Sequence, residues 1–560
     1  MKYFIDGDLK LPEQLSSINN TFHSSAYCST NDSFIRHELP QAILSKASYT
    51  AFNEVVNFYN FRETIFKKIE KSIGLNLWFF EQFRLYFEYR SFYLRIESIK
   101  HFIASESDCH VFTNNPNLSQ FISLNESQIT FIQSTEKSAV NMKKIFSELT
   151  FMVKQIKWKH KVKSNHILLS RIEDNVNGID KRFGEIQNDC DLLMNRDIFN
   201  SQKERPKNIS DYKSTTNVDS IVLKSMFSIH SVLAIVKFNK AVKKLFTELA
   251  SVDSTSSEKT IFSLFRKNKL SYFIYFIKYR AYCRFFRKYK YSSVLMINEN
   301  SAQQKAVQYA AKKNDVRILA LQHGAINDIH PSYMFGKYRT SPILPDITFT
   351  WGSYFTNLLT TKGGYSKNQV VTAGRVLAKN VVRKKHKILN SKKKIIIYGT
   401  QPQPNKSLHK QELFDVLKAC KALQNKYQLV IRPHPAEKND SLISEIAESL
   451  NFRNFTVDRI SDLQTHFESC SILITSYSTI GAEFVQYFKP LVVLDYLKTD
   501  PVDYIKQNIC IPAYNGNELI NVLKNDNLAV DKESVNQFLD KYFYARGIKA
   551  VDIIRSQLQN

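Results

Sequence analysis

Lys394-Ile-Ile-Ile-Tyr-Gly399, Gln428-Leu-Val-Ile-Arg-Pro-His-Pro435 and Ser471-Ile-Leu-Ile-Thr-Ser-Tyr-Ser-Thr479 decide the fold. Each is a short apolar run rich in β-branched residues that stops abruptly at Gly, Pro or hydroxyl side chains. Such runs are buried parallel strands, and in an open α/β sheet ligands bind just beyond the strand ends. A helical stretch from Gln411 to Asn425 and strands at Phe455-Thr-Val-Asp458 and from Leu491 complete a Rossmann-like domain over 395–530.

The same alternation appears upstream. Ser293-Val-Leu-Met-Ile-Asn298 reads as a strand, Glu299 to Lys313 as a helix and Val316-Arg-Ile-Leu-Ala-Leu-Gln322 as the next strand. Asp346-Ile-Thr-Phe-Thr-Trp-Gly352 and Gln369-Val-Val-Thr-Ala-Gly374 continue the series, and a first Rossmann-like domain is expected over 216–378. A Lys/Arg-rich linker at 379–394 would join the two, and residues 531–560 would form a helical tail. Residues 1–215 read as mostly helical, because Ser45 to Lys163 is aromatic, charged and nearly free of Gly and Pro. The fold class expected is therefore α/β, two tandem Rossmann-like domains with a helical N-terminal extension and a cleft between the two domains.

Composition narrows the function classes. The 560 residues are 43% hydrophobic and carry 78 basic against 52 acidic side chains, a net charge of +26. An anionic partner follows: a phosphorylated substrate, an acidic membrane surface or nucleic acid. No helix-turn-helix, zinc-finger or RNA-recognition signature is present, so nucleic acid is not expected. Seven scattered cysteines without a CxxC pair predict a reducing cytoplasm, and no signal peptide or ~18-residue apolar span is seen. Between Lys259 and Lys290 basic and aromatic residues interleave. The stretch reads either as a membrane-surface element or as a partly buried helix pair with solvated charges.

The chemistry gathers at strand ends. Pro433 and Pro435 end the strand and leave Arg432 and His434 at its edge, where a guanidinium and an imidazole can share phosphate charge. A Pro-capped strand with a solvated Arg accounts for the same residues. Ser476, Ser478 and Thr479 precede a helix and can bind an anion or simply cap it. Glu483 can accept a ribose hydroxyl or complete a capping box. Gly399, Thr400 and Gln401 form a third edge, where the glycine lets a ligand approach the backbone. In the first domain, His323 follows a strand and precedes Gly324, which suits a general base, although a loop His that binds substrate or packs fits as well. Glu299 is a second base candidate, with Gln322, Asp328 and His330 nearby for the acceptor. Asp189-Cys-Asp191, an Asp-x-Asp, falls in an expected helix, so no metal and no cofactor are predicted.

Gln322-His-Gly324, Arg432-Pro-His-Pro435 and the run from Asp458 through Ser476-Tyr-Ser-Thr479 to Lys489-Pro490 resemble the GT-B transferases of bacterial surface polymers. The resemblance is to the CDP-glycerol glycerophosphotransferase family and to capsule transferases using CMP-Kdo or CMP-sialic acid, over roughly Tyr291 to Asp495. It implies that His323 acts as base or near the acceptor, that His434 meets donor phosphate, and that Ser478 and Thr479 bind it too. Ser476 stands where the glycerophosphotransferases usually have Asp, and Glu483 replaces an Asp, which favours a sugar donor. The function expected is metal-independent transfer of a sugar from a CMP-activated donor to a lipid-linked or oligosaccharide acceptor in capsule or lipopolysaccharide synthesis. The enzyme would sit in the cytoplasm, peripheral to the inner face of the membrane. Glycerol-phosphate transfer, a nucleotide-sugar epimerase and a nucleic-acid-binding protein are the alternatives.

Overall fold

A computed structural model describes residues 2–6, 22–25, 35–37, 39–106, 109–113, 118–122, 128–131, 162–171, 175–176, 179–195, 216–217, 229–297, 299, 301–324, 326–334, 344–376, 393–401, 406–434, 437, 440–461, 463–496, 498, 500, 503–525, 527–545 and 547–559. The chain forms two compact units. One comprises 1–379 and 545–560, the other 380–544. Most of the expected linker, 377–392, lies outside the described residues.

The second unit is a six-stranded sheet in which every pairing is parallel. Its strands are Lys394–Gly399, Tyr427–Arg432, Phe455–Val457, Ile472–Thr475, Leu491–Leu494 and Ile511–Ala513. Numbered along the chain, they lie in the spatial order 3-2-1-4-5-6. That is the doubly wound order, whose direction reverses between the first and fourth strands. Period-2 alternation sends Ile396, Tyr398, Leu429, Ile431, Ile472 and Ile474 into one core with Leu413, Val416 and Leu417 of the helix Lys406–Ala422. Helix Lys532–Tyr542 belongs to this unit, whereas helix Ile548–Gln559 belongs to the other, so the expected C-terminal tail is shared between units.

The first unit holds a seven-stranded parallel sheet. The strands expected from sequence are there as Ser293–Ile297, Arg317–Leu321, Ile347–Thr350 and Val370–Thr372. His166–Arg171 and Asp191–Asn195 extend the sheet beyond the expected 216 boundary. Asp191 therefore opens a strand and does not lie in a helix. It accepts the Tyr291 hydroxyl at 2.7 Å, and Asp189 pairs with Arg555 at 2.7 Å, so both carboxylates of the Asp-x-Asp are structural. Val294, Met296, Ile318 and Ala320 face a helical layer, while Leu295, Ile297 and Leu319 face Ala550, Val551, Ile554 and Leu558 of the last helix. Each of the Val, Leu, Ile and Met side chains contributes about 1.5–3 kcal/mol by leaving water.

The helical expectation for the N-terminal region holds for Gln41–Asn60, Glu63–Ile73 and Leu77–Ser105. Asn76 caps the last of these by accepting from the Trp78 N–H, while its amide donates to Tyr59 and Glu70. Buried Arg62 ties the layer to later helices through Glu258 at 2.8 Å and Ser254 at 2.9 Å. A third parallel sheet accompanies these helices, made from Lys2–Asp6, Phe22–Ser25, Ile35–His37, Cys109–Thr113 and Ile129–Phe131.

The basic-aromatic stretch resolves into helices Ser256–Lys267 and Lys269–Tyr289. Phe265, Tyr272, Phe276, Phe285 and Phe286 are core residues, and Arg266, Lys267, Lys269, Arg287, Lys288 and Lys290 are exposed. The aromatic half of the pattern thus serves packing. Among the described residues no helix is long and apolar enough to cross a membrane.

Gly374 fastens the last helix to the first unit. Its φ is +91°, and an added Cβ would lie 1.9 Å from the Ala545 carbonyl oxygen. Beside it the Arg375 N–H donates to Ala545 at 2.8 Å, and the Gly547 N–H donates to Arg375 at 3.2 Å. Gly374→Ala should cost about 2–4 kcal/mol, read as a lower midpoint in thermal unfolding, because both backbone conformation and space forbid a side chain.

Candidate active site

Parallel register brings the strand ends of the second unit to one edge. Gly399 is level with Arg432 on one side and with Thr475 on the other. The point where strand order reverses lies between Gly399 and Thr475, the place where open α/β sheets bind ligands. Thr400, Gln401, His434, Ser476, Ser478 and Thr479 all follow directly on these strands.

Glu437 organises this edge. Its carboxylate accepts from the Thr400 hydroxyl, from the His434 N–H at 2.8 Å, and lies 3.0 Å from His409 Nε2. The Thr400 hydroxyl also receives the His434 N–H at 2.9 Å, and the Thr400 N–H donates to the Arg432 carbonyl at 3.1 Å. Burial pushes the Glu437 pKa up, but the bonds from His409, Thr400 and His434 outweigh it, and the carboxyl stays below its ordinary range. For His434, burial lowers the pKa and the Glu437 charge opposes the change only in part, so a neutral imidazole stands at the edge.

The other expected donor residues divide into two kinds. Arg432 points along the edge, its Nη1 3.1 Å from the Asp458 carbonyl and 3.7 Å from Asp458 Oδ1. Burial raises the Asp458 pKa, yet bonds from Ser461, Ile460 and His466 hold it well below the carboxylate range. Ser476 is buried and donates to Glu412 at 2.9 Å. Gly399 leaves room for Ile480, whose side-chain carbons would lie 3.1 Å and 3.2 Å from an added Cβ. Thr400, Arg432, Ser476 and Gly399 thus build the edge. Gln401, whose amide bonds the Tyr477 hydroxyl, His434, Ser478 and Thr479 are the groups left at its surface. Burial pushes the Tyr477 phenol up to about 12. Pro435 lies outside the described residues.

The helix after the last of these strands is short, Thr479–Phe484. Its dipole is correspondingly small, so hydroxyls are what it offers. Ser478 accepts from the Ile480 N–H at 3.4 Å, and its carbonyl receives the Tyr504 hydroxyl at 2.9 Å. Glu483 forms no capping box with Ser478, because Gly481 occupies the third helical position.

In the first unit the loop after Arg317–Leu321 carries His323, exposed, beside Gln322, 3% exposed. Both ends of the Gln322 amide are committed: Nε2 donates to Gly324 at 2.8 Å and Oε1 accepts the Trp351 N–H at 2.9 Å. Gln322 therefore aims the His323 turn and does not face a ligand. His330 accepts the Ser332 N–H at Nδ1, 3.3 Å, which places its proton on Nε2. Burial lowers its pKa to about 4, with the nearby charge of His323 adding to the shift. Asp328 accepts from Tyr49 at 2.5 Å and pairs with Lys362 at 3.4 Å. Glu299 is 1% exposed just after Ser293–Ile297, and its carbonyl accepts from Gln308 at 2.6 Å.

Two doubly wound parallel sheets with polar residues at their carboxyl edges are the fold expected of the GT-B transferases. Residues 353–554 match the family described as CDP-glycerol:poly(glycerophosphate) glycerophosphotransferase, in agreement with the resemblance to surface-polymer transferases carried by the strand-end motifs. No curated protein matches the chain. Among solved structures, a UDP co-structure of Staphylococcus aureus MnaA shares 16% identity with a TM-score of 0.33, covering 50% of this chain and 77% of that one. A putative UDP-N-acetylglucosamine 2-epimerase from Listeria monocytogenes shares 12% with a TM-score of 0.42, covering 70% and 96%. The wall teichoic acid polymerase TagF shares 16% with a TM-score of 0.34, covering 50% and 84%. Likenesses this distant carry no weight about the reaction.

Neither Glu437 nor Asp458 is evident from sequence as an organiser, although Asp458-Arg-Ile-Ser461 has the Asp and following Ser of a side-chain-capped turn. Glu437→Ala should cost about 2–3 kcal/mol by leaving the Thr400 and His434 donors unpaired. Because its folded pKa is depressed, this contribution is complete above the ordinary glutamate value of about 4.3 and disappears as pH falls through the folded pKa. Wild type and Glu437→Ala should therefore converge in stability in acid, as measured by denaturant unfolding across a pH series.

Proposed function

We propose that the protein transfers a sugar from a CMP-activated donor to a lipid-linked or oligosaccharide acceptor in the synthesis of a surface glycan such as capsule or lipopolysaccharide. The observation that carries this reading is the convergence of Gln401, His434, Ser478 and Thr479 on the switch point of the 3-2-1-4-5-6 sheet. Hydroxyls and a neutral imidazole N–H there stabilise a leaving phosphate without demanding a second charge. His323 takes the proton of the acceptor hydroxyl as its oxygen bonds to the sugar carbon. The bond from that carbon to the phosphate oxygen breaks, and CMP leaves with the electron pair. Asp328 and His330 flank the acceptor side, and buried Glu299 lies beneath the neighbouring strand end.

A second reading, transfer of glycerol phosphate from CDP-glycerol, is favoured by the family match over 353–554. The two part on the donor: the first releases CMP from a CMP-sugar, the second releases CMP from CDP-glycerol. Thermal-shift titration with CMP, CDP and UDP, followed by their conjugates, should give stabilisation by a cytidine nucleotide of about 2.7 kcal/mol at 100 times its dissociation constant. Stabilisation by UDP alone, or release of an epimerised free sugar, would overturn both readings. His323→Ala should lower transfer by roughly 10²–10⁴-fold with nucleotide binding unchanged.

The cytoplasmic location expected from sequence is joined here to peripheral association with an anionic membrane. Its support is the outward face of helix Ile229–Ala250, where Lys237, Lys240, Lys243 and Lys244 are exposed beside Leu233, 66% exposed, and Val236, 48%. Lys68 and Lys71 of the adjoining helix Glu63–Ile73 add to it. At roughly 1 kcal/mol per basic residue near an acidic surface, this face adds to the attraction of the exposed basic residues of the Lys259–Lys290 stretch. Lys240→Glu with Lys244→Glu should abolish co-sedimentation with phosphatidylglycerol vesicles and leave nucleotide binding intact.

A further inference from the structure

The N-terminal helical layer meets the His323 loop directly. Tyr49, on Gln41–Asn60, donates its hydroxyl to Asp328. Phe83, on Leu77–Ser105, lies against the His330 ring with centroids 6.2 Å apart. Phe87, one turn further, contacts Phe83 at 4.8 Å. All three rings are open to solvent, Tyr49 by 43%, Phe83 by 42% and Phe87 by 45%. Large aromatics are costly to leave exposed, and three on one side of a loop bearing an imidazole and a carboxylate form a patch that requires an occupant.

The polar groups around the patch identify the chemistry. Asp328 lies between the Tyr49 hydroxyl and the Lys362 ammonium at 3.4 Å, and His330 holds a neutral ring with its Nε2 proton directed away from Ser332. A lipid chain would gain from the rings but would desolvate the Asp328–Lys362 pair without replacing water's hydrogen bonds. A pyranose ring satisfies both parts, its C–H face on the aromatics and its hydroxyls on carboxylate, ammonium and imidazole. We propose that Tyr49, Phe83 and Phe87 form a carbohydrate-stacking platform that holds a sugar ring of the acceptor beside His323. This rests on the reading of the His323 loop as the acceptor side. It gives the helical layer a role in substrate recognition.

Saturation-transfer-difference NMR on the full chain, with maltose, chitobiose and lactose at millimolar concentration, tests the platform without any donor. At least one disaccharide should receive saturation at its ring C–H protons. The double variant Phe83→Ala, Phe87→Ala should weaken that binding by roughly tenfold. Its thermal midpoint and its affinity for CDP should stay at wild-type values, since both rings are half exposed and belong to the other unit from the nucleotide edge. Tyr49→Phe keeps the ring, so it should lose less affinity than Tyr49→Ala. Absence of saturation transfer to every disaccharide, equal binding by the double variant, or binding of dihexanoylphosphatidylglycerol in place of the sugars would each overturn the platform. Failure of CDP to bind would overturn the donor reading and leave the sugar result standing, so the two are distinguishable.

Discussion

One carboxylate holds the carboxyl edge of the second unit's sheet in shape. Glu437 gathers a hydroxyl from the first strand end, a backbone N–H from the second and an imidazole from the helix between them. Three donors converging on a charge in a half-buried site are worth more than the same bonds in water, because the dielectric around them is low. Remove that charge and Thr400, His434 and His409 lose their common anchor. The positions of Gln401, Ser478 and Thr479 depend in turn on the register that places Gly399 level with Thr475.

The edge is therefore built in two layers. Thr400, Arg432 and Ser476 spend their hydrogen-bonding capacity inward, on Glu437, Asp458 and Glu412. Gln401, His434, Ser478 and Thr479 are presented outward by them. Residues that look equivalent in a motif, such as Ser476 and Ser478, thus have opposite duties. In the first unit the same separation sets Gln322, bonded at both ends of its amide, beneath an exposed His323.

Much of this was legible in the sequence. Strands buried on both faces are continuous apolar runs, and every run named from Ser293 to Leu494 is a strand in the sheet expected of it. The N-terminal sheet was not legible, because its strands are at most five residues long and some are polar: Phe22-His-Ser-Ser25 buries two serines, which periodicity counts as surface. The basic-aromatic helices show a different limit. Their sequence is equally amphipathic whether the aromatic side meets lipid or protein, and only the packing of Tyr272 and Phe285 against the helical layer decides. Glu437 escaped notice because its partner Thr400 is 37 residues away, a distance no local pattern spans.

The last helix has a consequence for how the chain is made. Residues 380–544 form a contiguous unit, but the first unit begins before them and ends after them. During synthesis the second sheet can close on itself as soon as its own residues have emerged. The first cannot: the face of Leu295, Ile297 and Leu319 meets Phe183 and Ile186 early, but its cover is incomplete until Ala550, Val551, Ile554 and Leu558 arrive. For the whole interval in which the second unit is translated, the uncovered part of that apolar face is open to chaperones and to self-association, and the nascent chain is most vulnerable then.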